Sequence, residues 1–374
     1  MGLSSLRYDW RWAMSILSPA ELRRITAFKV ARLRGMLHAR NGATRERGFA
    51  VGVTLNNRTL VTVYGGSGFL GRHLVRAIAR TGARIRVACR RPDLAGHLQP
   101  LGGVGQIMPV QANVRFPESL VTAAEDADAV VNLVGILFAS GKQTFKSVQD
   151  EGAHNVAKAA RLAGAQTFVH VSAIGADADS YSIYARSKAA GEAGVRKVYP
   201  NATIVRPSVV FGPEDEFFNR FGAMAQVFPA LPLIGGGQTK FQPVFVGDVA
   251  QTLVAAIEGR CKTDAPYEIG GPEILTMKDV MERVLAYTMR SRPLIPLPFW
   301  LAKLQGALLQ WLPNPPLTID QVRLLEKDNV VSAEAEKDGR TLKGLGIEPV
   351  AVADVVPDYL EQFRPRGQFS VYKA

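Results

Sequence analysis

A β-branched apolar run, a glycine-dense turn and the amphipathic start of a helix follow one another over residues 60–74. The glycines satisfy both G-x-G-x-x-G and G-x-x-G-x-x-G. They let the backbone approach a pyrophosphate, and the next helix offers unpaired N–H groups and a positive dipole end. Because strand and helix flank the glycines in this order, the segment predicts a dinucleotide-binding turn. The residues expected to line the ligand are Gly65, Gly66, Ser67, Gly68, Phe69, Leu70 and Gly71.

Short strand-like segments alternate with helix-like ones from residue 60 onward. The predicted strands are 60–64, 84–89, 106–111, 129–134, 167–171, 203–206, 242–246 and 266–269, and the predicted helices are 69–81, 116–124, 143–163, 183–199 and 247–258. This alternation is typical of βαβ units with right-handed crossovers. We therefore predict an α/β fold, a Rossmann-type doubly wound parallel sheet with a smaller C-terminal lobe. The expected divisions are a basic extension 1–58, a nucleotide-binding domain 59–260 and a C-terminal lobe 261–374.

The net charge of +12 is concentrated at the N-terminus. Residues 1–58 hold eleven Lys or Arg against three Asp or Glu, while the remaining chain holds 34 against 30. Because the chain after residue 58 is nearly neutral, we do not expect a nucleic-acid surface on the folded domain. The extension itself is open to three interpretations: a disordered or over-long start, a membrane-surface or partner-binding helix over 19–37, and an organelle transit peptide.

Two cysteines, Cys89 and Cys261, are too few for a disulfide framework or a metal cage. We therefore expect a reducing compartment and no metal site.

Residues 291–317 carry only two charges, Arg292 and Lys303. A helix predicted from Phe299 to Trp311 would be about 20 Å long, too short to span a bilayer. An exposed apolar face with Trp at both ends would suit a membrane interface or a permanent partner. The alternative is an ordinary core helix of the C-terminal lobe.

The end of the second strand reads Cys89-Arg90-Arg91, where an acid would bind the ribose hydroxyl of NAD. Guanidinium groups pair bidentately with phosphate, so Arg90 and Arg91 favour NADP(H) over NAD(H). After the third and fourth strands, Asn113, Val134 and Gly135 are placed to face the adenosine half.

Tyr184 and Lys188 stand four residues apart on a predicted helix and therefore share a face. A lysine beside a phenol is expected to lower the phenol pKa and can hold the nicotinamide ribose. The tyrosine would then act as acid or base toward a carbonyl or alcohol.

The glycine turn and the Tyr-x-x-x-Lys pair together resemble the short-chain dehydrogenase/reductase superfamily, in its extended, epimerase/dehydratase-like branch. The resemblance covers about residues 60–290 and implies pyrophosphate binding by Gly65, Gly68 and Gly71, with Tyr184 and Lys188 as the catalytic pair. It also implies nicotinamide contact by Pro207, Ser208 and Val209. The third catalytic position falls at Ser172 or, in another alignment, at Ala173, where no donor would remain.

Two further runs, 211–221 and 317–331, are similar to the nucleotide-binding accessory subunit family of respiratory complex I. This resemblance implies NADP(H) held without turnover, complex I subunits as partners, and peripheral membrane contact through 291–317. The implied location is the cytoplasmic face of a bacterial inner membrane, or alternatively the matrix side of the mitochondrial inner membrane. Two other functions stay open: an active NADP-dependent oxidoreductase or epimerase, and a regulator that senses the NADPH/NADP ratio.

Overall fold

The computed structural model describes residues 52–312 and 315–370. The expectations for residues 1–51, including the helix over 19–37, lie outside the described residues. Among the described helices, none is both long and apolar enough to cross a membrane.

Seven parallel strands form the central sheet. They are β1 Leu60–Tyr64, β2 Arg84–Cys89, β3 Ile107–Gln111, β4 Ala129–Asn132, β5 Thr167–Val171, β6 Thr203–Pro207 and β11 Tyr267–Ile269, in the spatial order β11-β6-β5-β4-β1-β2-β3. β1 pairs in parallel with both β2 and β4, so the strand order reverses at β1. In an open α/β sheet, ligands bind over the carboxyl ends of the strands at such a reversal.

Helices cover both faces of the sheet. They are α1 Phe69–Ala79, α2 Pro117–Ala124, α3 Glu151–Leu162, α4 Ile183–Val198 and α6 Val246–Ile257. α1 and α6 pack on one face through Leu74 and Val249, and α2, α3 and α4 pack on the other through Leu120, Val156 and Val195. Because each strand is buried on both faces, the apolar runs are nearly continuous, as expected of a parallel sheet. The predicted fold class is confirmed.

The remaining elements lie beyond β6. The short strands are β7 Val210–Phe211, β8 Leu231–Ile234, β9 Lys240–Phe241, β10 Val244–Phe245, β12 Leu275–Thr276 and β13 Leu294–Leu297. The helices are α5 Phe218–Val227, α7 Met277–Tyr287, α8 Phe299–Leu309, α9 Ile319–Leu324, α10 Ala333–Lys337 and α11 Val352–Leu360. Phe218, Val280 and Val356 share an apolar cluster that joins α5, α7 and α11. The domain boundary at residue 260 stays a prediction.

Two predicted elements differ in the structure. The strand expected over 242–246 is only Val244–Phe245, and it pairs with β7 outside the main sheet. Pro243 precedes it and has no N–H to donate, which shortens the ladder. The helix expected over 143–163 begins with a π-helical turn, Lys146–Asp150, which precedes α3.

The exposure of α8 decides against one of the two interpretations of residues 291–317. Within α8, Trp300 is 68 % exposed, Leu304 54 % and Leu308 70 %, whereas Ala302 and Gly306 face the protein. The interpretation as an ordinary core helix is therefore wrong, because three large apolar side chains of α8 are more than half exposed.

Candidate functional site

The glycine turn connects β1 to α1 and has the geometry of a phosphate cradle. Gly65 lies at φ +77°, a backbone conformation that favours glycine. A Cβ on Gly71 would lie 2.5 Å from the backbone of Gly66, so only glycine lets α1 pack this close to the turn. α1 begins with Gly68 as N-cap, without a side-chain hydrogen bond and without an acid in its first turn. Its N–H groups and positive dipole end are therefore left for an anion.

A cavity of about 340 Å³ opens at this turn. Its lining includes most of the predicted cofactor residues: Gly65, Ser67, Gly68, Phe69, Leu70, Gly71, Arg90, Asn113, Val134 and Gly135. Gly66 is buried, and it packs against Val63 and Val87 on the side of the turn that faces away from the cavity. The volume lies within the range of about 300–1,000 Å³ usual for small-molecule sites. Cradle, cavity and uncapped helix thus fit the phosphate half of a dinucleotide.

The rim of the cavity beside the end of β2 is basic. Ser67, Arg90, Arg91 and His97 line a second opening next to the first. Arg91 donates to the Asp93 carboxylate through Nε at 3.0 Å and Nη2 at 2.7 Å, and both side chains are exposed. Arg90 donates through Nη1 to Oε1 of Gln143. Both guanidinium groups therefore lie at this opening, with Gln143 as the partner of Arg90 and Asp93 as the partner of Arg91.

The sequence did not single out as part of the site the loop and first helical turn over residues 136–149, which face the first cavity. Its Ile136, Gln143 and Val148 line the cavity together with Arg115, whose Nη1 donates to the Lys142 carbonyl. Gln149 ties the loop to α4, because its Nε2 donates to the Ile136 carbonyl and its Oε1 accepts from Ser187 Oγ. No motif that would indicate ligand binding marks these residues, so only the position after β4 could have connected them with the site.

Tyr184 and Lys188 stand on the first turns of α4 and share a face, as the spacing predicts. Lys188 is buried, its Nζ lies 5.9 Å from the Tyr184 ring centroid, and it donates to the Val171 carbonyl at 3.4 Å. A Cβ on Gly135 would lie 3.3 Å from that Nζ, which places Lys188 beside the cavity lining. The structure therefore brings the two predicted motifs together.

The expected effect of Lys188 on the tyrosine is wrong. Burial raises the pKa of Tyr184 to about 12, and it lowers the pKa of Lys188 to about 8, with Glu192 acting in the opposite direction on the lysine. Desolvation disfavours both charged forms more than the ammonium stabilises the phenolate across this distance. At neutral pH, Tyr184 is therefore a protonated phenol.

The remaining predicted residues follow β5 and β6. Ser172 is 3 % exposed, and its buried Oγ has no hydrogen-bond partner among the described residues. Pro207 accepts from the Ile174 amide, and Val209 packs against an apolar cluster around Phe241. Ser208 donates to Asn329, a residue that the sequence did not connect with the site.

The described residues contain no group of His, Cys, Asp and Glu side chains that could hold a metal ion.

Comparison with known proteins gives a consistent picture. The model of the NAD dependent epimerase/dehydratase family matches residues 61–270. The protein "NADH dehydrogenase [ubiquinone] 1 alpha subcomplex subunit 9, mitochondrial" of Arabidopsis thaliana is 33 % identical over 321 residues, covering 82 % of this chain and 79 % of that protein. A ceramide reductase of Caulobacter vibrioides is 37 % identical over 198 residues, covering 53 % of this chain and 61 % of that protein.

The fold recurs in a dTDP-glucose 4,6-dehydratase of Streptomyces venezuelae solved with NAD. The TM-score between the two structures is 0.60 at 19 % sequence identity. The match covers 84 % of this chain and all of the dehydratase chain.

Proposed function

The chain belongs to the NAD dependent epimerase/dehydratase family, and on that premise we propose that it is an NADP(H)-binding accessory or assembly subunit of respiratory complex I that does not turn its nucleotide over. The observation that carries the proposal is the length of the likeness to the complex I relative. That match extends over 321 residues, whereas the family model covers residues 61–270, so it includes chain outside the nucleotide fold.

The residues of the cradle fit the proposed nucleotide. The turn around Gly68 and the first N–H groups of α1 would hold the pyrophosphate, and Lys188 would orient the nicotinamide ribose. When bound, the nucleotide supplies a hydride donor or acceptor. Toward that chemistry, the phenol of Tyr184 keeps its proton, and the hydroxyl of Ser172 is buried away from solvent. A protonated phenol is the form that donates a proton in a carbonyl reduction, so the proposed lack of turnover rests on the likeness to the complex I relative and not on Tyr184.

The preference for NADP(H) rests on Arg90 and Arg91, and replacing Arg91 with methionine tests it. Hydrogen bonds to charged groups contribute about 1.5–3 kcal/mol, so affinity for NADPH should fall about tenfold or more. Affinity for NADH should stay the same, because NADH lacks the extra phosphate. Calorimetric titration measures both, with the exposed Arg80→Met as the matched control. An equal loss for both nucleotides would contradict the preference.

The exposed face of α8 supports a peripheral attachment to the membrane arm or its lipid surface. Trp300, Leu304 and Leu308 are each more than half exposed, and the one cation of the helix, Lys303, is paired with Glu326 at 2.7 Å. The corresponding location is the cytoplasmic face of the inner membrane in a bacterium, or the matrix face in a mitochondrion. An exposed apolar patch of this kind marks an interaction surface.

The test of this attachment is a double replacement, Trp300→Glu with Leu308→Glu. The wild-type protein should co-migrate with complex I on a native gel after mild detergent extraction, and the double variant should migrate mainly as a free species. Val104→Glu is the control, because Val104 is also fully exposed but lies far from α8 in the sequence. A wild-type protein that always migrates alone would contradict the proposed function.

An active oxidoreductase is the second candidate, favoured by the intact Tyr184/Lys188 pair and the likeness to a ceramide reductase. That likeness covers about half of this chain. The alternative would be supported by carbonyl-dependent oxidation of NADPH that Tyr184→Phe abolishes while the nucleotide stays bound.

A further inference from the structure

Residues 318–331, here called the cover segment, cross the carboxyl ends of β5 and β6. Asn329 donates through Nδ2 to the carbonyl of Ile174, in the loop after β5, at 3.3 Å. Its Oδ1 accepts from Oγ of Ser208, in the loop after β6, at 2.6 Å. Ligands of an open α/β sheet bind at this edge. Asn329 therefore adds a side-chain bridge between two loops that the Ile174 amide and the Pro207 carbonyl already join at 3.0 Å.

Asp320 attaches the cover segment to the first turn of α4, where Tyr184 stands. One carboxylate oxygen accepts from the Ile183 amide at 2.7 Å. The other accepts from the Tyr184 amide at 3.0 Å and from Ser182 Oγ at 2.9 Å. A carboxylate is favoured at a helix N-terminus, and charge-assisted hydrogen bonds are the stronger kind. Asp320 thus holds the segment directly beside the predicted catalytic tyrosine.

Two weaker contacts support the same position. Arg323 donates through Nη1 to the Tyr181 carbonyl at 3.2 Å, and Lys327 pairs with Asp177 at 3.1 Å. The Lys327 pair is exposed, and such pairs contribute little to stability. Asp320 and Asn329 are therefore the main side-chain anchors on this side, and backbone bonds of Asn329 to Lys240 and Gln242 hold the end of the segment to β9.

The cover segment is also fixed to α8 on its other side. A Cβ on Gly306 would lie 2.9 Å from the Ile319 amide nitrogen, so the backbones of α8 and α9 are in close contact. The Lys303–Glu326 ion pair adds a second connection. The segment thus stands between the loops around Tyr184 and the exposed apolar face of α8.

We propose that the cover segment is an intrachain plug that closes the substrate side of the nucleotide site beside Tyr184, held by Asp320 and Asn329. The inference rests on the proposed function, since it concerns access to a bound nucleotide. A substrate carbonyl would have to reach the phenol of Tyr184 past the first turn of α4 and the loop after β5, and Asp320 and Asn329 bind the segment at those two places. The plug accounts for a chain that keeps the Tyr/Lys pair yet holds its nucleotide unused.

Quenching of bound NADPH fluorescence by acrylamide tests the plug in the full-length protein. The comparison is between the wild type, Asp320→Ala with Asn329→Ala, and the control Asp358→Ala, which removes an exposed carboxylate on α11. Removing both anchors raises the population of the open state, so the quenching constant should rise about threefold or more in the double variant alone. Equal constants in the three proteins would overturn the plug.

The outcomes separate this inference from the proposed function. If no protein binds NADPH, the proposed function fails as well, whereas binding with equal quenching overturns the plug alone. Hydrogen exchange of the wild-type protein tests the plug without any variant, so it still applies if the double variant does not fold. The amides of Ile183 and Tyr184 should exchange slowly with NADPH bound, and exchange at the rate of an unstructured peptide would overturn the plug.

Discussion

Replacing Gly68 with alanine is expected to lower the affinity for NADPH at least about tenfold, or about 1.4 kcal/mol. Gly68 is exposed, its φ of −79° suits any residue, and an added Cβ would meet no atom closer than the Gly65 carbonyl oxygen at 3.4 Å. The methyl group therefore fits the protein, but it stands at the N-cap of α1, where the pyrophosphate would approach. The measurement is calorimetric titration of wild type and variant.

The control for this prediction is Gly96→Ala, a position where an added Cβ meets nothing within 4 Å. Both variants should keep the free energy of unfolding within about 1 kcal/mol of the wild type. Unchanged NADPH affinity in Gly68→Ala would mean that the ligand does not approach this turn. A loss of affinity together with a large loss of stability would leave the cradle unsupported, because misfolding alone would then explain it.

Replacing Arg206 with methionine is expected to cost about 3–5 kcal/mol of unfolding free energy. Arg206 on β6 donates to both oxygens of Glu192 on α4, at 2.8 and 2.7 Å, and lies 3.6 Å from Glu268 on β11. The side chains of Glu192 and Glu268 are 9 % and 12 % exposed. Without the guanidinium, two largely buried carboxylates would lose the cation that pairs with both of them. Chemical denaturation measures the loss.

The control is Lys278→Met, which removes one partner of the exposed Lys278–Glu282 pair on α7. Exposed pairs at this spacing contribute about 0.3–0.5 kcal/mol, so the control should be nearly neutral. If Arg206→Met were as mild as the control, the ion pair would not be the connection between β6, α4 and β11 that the geometry indicates.

The sequence was sufficient for the features that depend on local spacing. The glycine turn could be predicted because Gly65, Gly68 and Gly71 follow an apolar strand directly, and the shared face of Tyr184 and Lys188 follows from helix geometry. The parallel sheet followed from the alternation of elements. Each of these signals lies within a few residues or repeats along the chain.

The features that depend on distant parts of the chain could not be predicted. Asp320 meets Tyr184 across 136 residues, and Asn329 meets Ser208 across 121. No local pattern encodes such contacts. The pKa of Tyr184 was expected to fall because a lysine is near, yet it rises because burial outweighs that charge. Burial is a property of the folded chain, which spacing alone does not give.

The most direct test of the account is a calorimetric titration of the purified full-length protein with NADPH. The account predicts saturable binding of one NADPH per chain, with no consumption of the nucleotide when carbonyl compounds are added. A correctly folded protein that binds neither NADPH nor NADH at millimolar concentration would contradict it.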